Sequence, residues 1–124
     1  MTVIPTFHCP AGRCVEAIAL YQRAFGMLID WQGVSEETGL IYHTEARIGD
    51  QRFRISDGGH ELETANADSM ILAVVYETVE EVEKAFDVLQ EDALYIDAPH
   101  NPGFATCFCE VKDKFGFRWF LMVD

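Results

Sequence analysis

The sequence predicts an α+β chain built from two βαβββ modules whose strands are mostly antiparallel. Three observations carry that expectation. The order strand, helix, three strands can be read twice along the chain. Residues Glu16…Tyr21 match Glu81…Phe86 at an offset of 65, and Ile48-Gly49-Asp50 matches Val111-Lys112-Asp113 at 63, the mark of an internal duplication. The 124 residues, 49% of them hydrophobic and 24% charged, suit one domain with a packed core. The expected organisation is a single domain over 1–124, with modules at 1–60 and 66–124.

The first module opens with a strand over Val3–His8, and Pro10 and Gly12 break the chain before a helix over Cys14–Phe25. The apolar residues Val15, Ile18, Ala19, Leu20 and Phe25 recur near helical spacing, and Gly26 stands where a C-terminal cap belongs. Strands follow at Leu28–Val34, Leu40–Ile48 and Gln51–Ser56, joined by the polar loop Ser35–Gly39 and the turn Gly49-Asp50. A turn-rich, polar stretch from Asp57 to Asp68 marks the joint between modules.

The second module begins with Met70–Tyr76, a continuous apolar run that reads as a buried strand. Thr78-Val79-Glu80-Glu81 is a capping box, and the helix it starts carries Val82, Ala85, Phe86 and Leu89 on one face. Strands are expected at Leu94–Ile96, Phe104–Val111 and Phe117–Val123, with a loop at Pro99–Gly103.

Composition excludes several function classes. A net charge of −12 argues against a nucleic-acid partner, because phosphate binding needs clustered Lys and Arg. No apolar run is long enough to cross a bilayer, and the start of the chain lacks a signal-peptide pattern, so no membrane partner and a cytoplasmic location are expected. The cysteines Cys9, Cys14, Cys107 and Cys109 show no metal-binding spacing and read as free, buried thiols.

The candidate site comes from strand parity. Alternate strand residues face opposite ways, and the apolar sets Phe53, Ile55 and Tyr42, Thr44, Ala46, Ile48 belong under the helix. The other face then gathers Thr6, His8, His43, Glu45, Arg47, Arg52, Arg54 and Ser56. In the second module both faces of the last strands are largely apolar, so a polar wall is expected to meet an apolar one, as in small-molecule pockets. Arginine pairs bidentately with carboxylate or phosphate. His43 beside Glu45 has the chemistry of a general base near neutral pH. The expected ligand-binding residues are Thr6, His8, Arg47, Arg54 and Trp119, with His43 and Glu45 in catalytic roles.

The strings Glu16-Ala17-Ile18-Ala19-Leu20-Tyr21-Gln22-Arg23-Ala24-Phe25-Gly26, Tyr42–Asp50, Ser56-Asp57, Thr78–Val82 and Asp113–Trp119 together span nearly the whole chain. On them the chain resembles the PhnB-like branch of the vicinal oxygen chelate superfamily, which includes glyoxalase I, extradiol dioxygenases and bleomycin-resistance proteins. The resemblance implies paired modules forming a cupped sheet, commonly in a homodimer. Members of this branch often carry a demethylubiquinone methyltransferase label, yet no glycine-rich loop follows a strand here to hold S-adenosylmethionine. Catalytic relatives place His and Glu ligands for a divalent metal on the first and last strands of each module. This chain has Phe120 where a Glu is implied, and no ligand along Met70–Tyr76. No cofactor is therefore expected; if a metal binds, His8, His43 and Glu45 are its ligands, against the repulsion of nearby arginines. The leading function is a small-molecule-binding protein for a polar or anionic ligand. The alternatives are a metal-dependent lyase, isomerase or dioxygenase, and a drug-sequestering resistance protein.

Overall fold

A computed structural model describes residues 1–58 and 68–124. Along these the chain forms β1 (Thr6–Cys9), α1 (Cys14–Phe25), β2 (Leu28–Val34), β3 (Ile41–Ile48) and β4 (Gln51–Asp57), then β5 (Ile71–Val75), α2 (Val79–Leu89), β6 (Tyr95–His100), β7 (Cys107–Lys112) and β8 (Arg118–Val123). The two βαβββ modules fall into compact units, Met1–Ala65 and Asn66–Asp124. The stretch expected to join them lies mostly outside the described residues.

Each unit holds one four-stranded sheet, ordered β1-β4-β3-β2 in the first and β5-β8-β7-β6 in the second. In both, the first strand runs parallel to the last and the remaining pairs are antiparallel. This identical order is the duplication made structural. Glu45 stands opposite Arg54 in the first sheet, and Glu110 opposite Phe120 in the second.

In the first unit α1 covers one sheet face with Cys14, Ala17, Ile18, Leu20 and Tyr21. The i, i+3, i+4, i+7 stripe runs through Cys14 and Tyr21 rather than through Val15, which is 64% exposed, or Ala19. Gly26 is left-handed at φ 67°, and its amide caps Gln22, as expected of a C-terminal glycine. At the N-terminus of α1 the N-cap residue, Arg13, makes no side-chain capping hydrogen bond. Asp57, at the end of β4, supplies one instead: its Oδ1 accepts from the Gly12 and Cys14 amides at 2.8 and 3.0 Å, and its Oδ2 from the Ile41 amide at 2.8 Å. One carboxylate thus ties the helix start, β3 and β4 together.

β1 starts later than expected because Pro5 has no N–H for the ladder; its carbonyl still accepts from the Arg54 amide. In the second unit α2 begins with the expected box, the Thr78 hydroxyl accepting from the Glu81 amide and donating to its carboxylate. Val82, Ala85, Phe86 and Leu89 are its buried face. Across from them lie Cys107, Cys109, Val111, Trp119 and Leu121, all buried.

Two expectations need correction. β5 is an edge strand rather than a wholly buried one: none of its residues is fully buried, and Val75 is 55% exposed. β6 runs on to His100 through Pro99, where a loop was expected; β6 is also an edge, the one place in a sheet where a missing N–H is tolerated.

Candidate functional site

Strand register lines up the polar face of the first unit in rows. Thr6 pairs with Arg54, Arg54 with Glu45, and Glu45 with Trp31, one residue from each strand. The neighbouring row runs His8–Ser56 and His43–Gly33, and the next pairs Arg52 with Arg47. Thr44, Ala46, Phe53 and Ile55 are buried on the helix side, as parity requires.

At the centre is Glu45. Its two carboxylate oxygens accept from Arg54 Nε at 3.0 and 3.1 Å, Arg52 Nη2 lies 3.4 Å away, and His43 Nε2 lies at 3.6 Å. Partial desolvation pushes the Glu45 carboxyl upward, but the Arg54 hydrogen bond and the charges of Arg54, His43 and Arg52 outweigh it and hold it below its ordinary value. Glu45 is therefore an ionised anchor for cations, and a weak proton acceptor.

Arg47 is committed elsewhere on the face. Its Nε and Nη2 donate to both oxygens of Asp30 at 2.7 and 2.9 Å, a bidentate pair whose hydrogen bond lowers the Asp30 carboxyl and raises the Arg47 guanidinium. Asp30 follows Leu28, which pairs with Arg47, onto this face. Ile29 pairs with Ala46 and Trp31 with Glu45, so Asp30 is an extra residue in a β-bulge, and the bulge brings Trp31 to the same face. A second bulge makes Tyr42 the extra residue between the pairs Gly33–His43 and Val34–Ile41. Parity had placed Tyr42 under the helix; instead it is 60% exposed, and its ring lies where a Gly33 Cβ would stand. It meets Trp31 edge-on at 6.2 Å, while Trp31 lies 6.0 Å from the His43 ring.

Of the residues expected to form the site, then, His43, Glu45, Arg54 and Thr6 share two adjacent rows, with His8 exposed at one end. The Thr6 hydroxyl donates locally to the Ile4 carbonyl. Trp119 stands apart: it is fully buried in the second unit and its indole N–H donates to Asp113 at 3.0 Å. That is a core position with a satisfied donor. Asp30 and Trp31 were missed because no faces were assigned along Leu28–Val34, and Tyr42 because a bulge breaks the alternation that parity assumes. The one sequence signal was Gly33 inside a strand, a common sign of a bulge or of close approach.

His8, His43 and Glu45 do not converge, and no group of three or more His, Cys, Asp or Glu side chains forms a metal-holding cluster among the described residues. The donor set also opposes a dication, since the carboxylate in it is already held by two guanidiniums. The described residues do not fit the divalent metal that the fold implies.

A family model for the Glyoxalase/Bleomycin resistance protein/Dioxygenase superfamily matches residues 4–121. The chain belongs to that superfamily. Solved structures of the superfamily fold agree. The PhnB protein from Bacillus cereus, labelled a 3-demethylubiquinone-9 3-methyltransferase, superposes with a TM-score of 0.88 at 22% identity, covering 100% of both chains. PA1353 from Pseudomonas aeruginosa gives 0.80 at 20% identity, covering 100% of this chain and 98% of that one. The fosfomycin resistance protein FosX from Listeria monocytogenes, as an E126Q mutant complexed with Mn(II) and 1S,2S-dihydroxypropylphosphonic acid, gives 0.69 at 11% identity, covering 98% and 90%. No curated protein sequence matches this chain. At these identities the likeness is one of fold. Among the described residues no helix is long and apolar enough to cross a membrane.

Proposed function

We propose that the polar face of the first unit binds a small polar or anionic organic molecule and that the chain is not a methyltransferase. The observation that carries the proposal is a cluster of three arginines, Arg47, Arg52 and Arg54, on one sheet face of a chain of net charge −12. Glu45 is shared by Arg52 and Arg54, while Arg47 is paired with Asp30 and also feels the charge of Asp50. Among the described residues Arg54 donates only through Nε, so its Nη groups remain for a carboxylate, phosphate or phosphonate. The phosphonic acid in the FosX complex supports an anionic ligand at the level of the fold. Thr6 and His8 border the same rows, and His43, held beside Glu45, is the group placed to exchange a proton with a bound ligand.

The reading extends to a homodimer acting in the cytoplasm without nucleic acid. The acidic composition supports the last point.

A thermal-shift screen tests the proposal. Small carboxylates, phosphates and phosphonates should raise the melting temperature of the native chain and not of an Arg52→Gln/Arg54→Gln variant. Selective stabilisation by cationic glycopeptides would overturn it in favour of drug sequestration.

A further inference from the structure

We propose that the anionic ligand of this face is an aromatic acid, whose ring stacks on Trp31 while its acid group meets Arg54. The inference rests on the reading of the face as an anion site and names the class of molecule that fits it.

Trp31 is 51% exposed, which leaves a large apolar ring open for a ligand to lie against. It sits on the Glu45–Arg54 row, two strands from Arg54. Strands in a sheet are about 4.8 Å apart, so Trp31 and Arg54 are about 10 Å apart along that row. A flat ring system bearing one acid group spans that distance.

The platform is also held in place. The bulge at Tyr42 turns its ring onto the polar face, where it packs edge-on against Trp31 and fills the space above Gly33. His43 braces Trp31 from the neighbouring strand at 6.0 Å. Glu45, lying between ring and cation, occupies the Nε side of Arg54 and leaves the Nη end for the incoming acid. A saturated ligand would gain burial on this surface but not the offset stacking that a planar ring gains.

Calorimetric titration with three probes tests the inference: naphthoate, its decahydro analogue and neutral naphthamide. Naphthoate should bind more tightly than both. Trp31→Leu should weaken naphthoate by about five- to tenfold and leave the saturated acid within about twofold, with Trp31→Phe in between. The Trp31 variants lie on an exposed edge strand, and unchanged melting would show that they are folded. Equal binding of naphthoate and its saturated analogue, unaffected by Trp31→Leu, would overturn the aromatic inference and leave the anion reading standing. Naphthamide binding as tightly as naphthoate would overturn both.

Discussion

Arg54 and Glu45 face each other across β3 and β4, with the arginine Nε 3.0 and 3.1 Å from the two carboxylate oxygens. Because the cations hold Glu45 below its ordinary 4.5, its contribution to stability has a definite pH window. It is fully present above that value and is lost as pH falls through the lower folded one. Glu45→Gln should therefore lower the melting temperature at neutral pH, with the gap to the native chain closing as the pH falls below the ordinary carboxyl value. Thermal unfolding of both proteins across that range is the check; a constant gap would contradict the account of Glu45.

The Asp57 carboxylate accepts three backbone amides from two separate segments, so its removal should cost far more than a typical surface change. Asp57→Ala should destabilise the chain by about 2–4 kcal/mol. Asp57→Asn should recover part of that loss. Urea denaturation of the three proteins measures it.

A methyl at position 33 would meet the Tyr42 ring at 2.3 Å. The atoms it meets are the far end of an exposed side chain, so the ring can move aside. Gly33→Ala should change stability by less than about 1 kcal/mol, yet alter the near-UV circular dichroism as Tyr42 leaves Trp31. Loss of folding instead would show that the bulge itself requires glycine.

Burial pushes the Cys109 thiol up to about 12, with the neighbouring Cys107 adding to the effect. All four cysteines are free and buried. Iodoacetamide at pH 8 should leave the folded protein unmodified and alkylate all four thiols once it is unfolded. Mass spectrometry reads the difference directly.

The fold was largely legible because its signals are local. The capping box at Thr78, the glycine after Phe25 and the two-residue turn at Gly49-Asp50 each mark a boundary with residues that have few alternatives. The polar face was legible wherever strands alternate regularly, as for His43, Glu45 and Arg54. It was not legible at Trp31 and Tyr42, since one extra residue in a strand reverses which face a side chain joins and nothing in composition records it. Trp119 illustrates the opposite failure. Its position in a resembling string suggested a ligand contact, while its burial and its bond to Asp113 place it in the core.

The central claim, that the first unit's polar face binds an organic anion through Arg54, is tested most directly by amide chemical-shift mapping during titration with an aromatic carboxylate. The account predicts shifts concentrated at Thr6, Trp31, His43, Glu45 and Arg54, saturating with one binding curve and abolished in the Arg52→Gln/Arg54→Gln variant. Shifts centred elsewhere, or persisting unchanged in that variant, would contradict it.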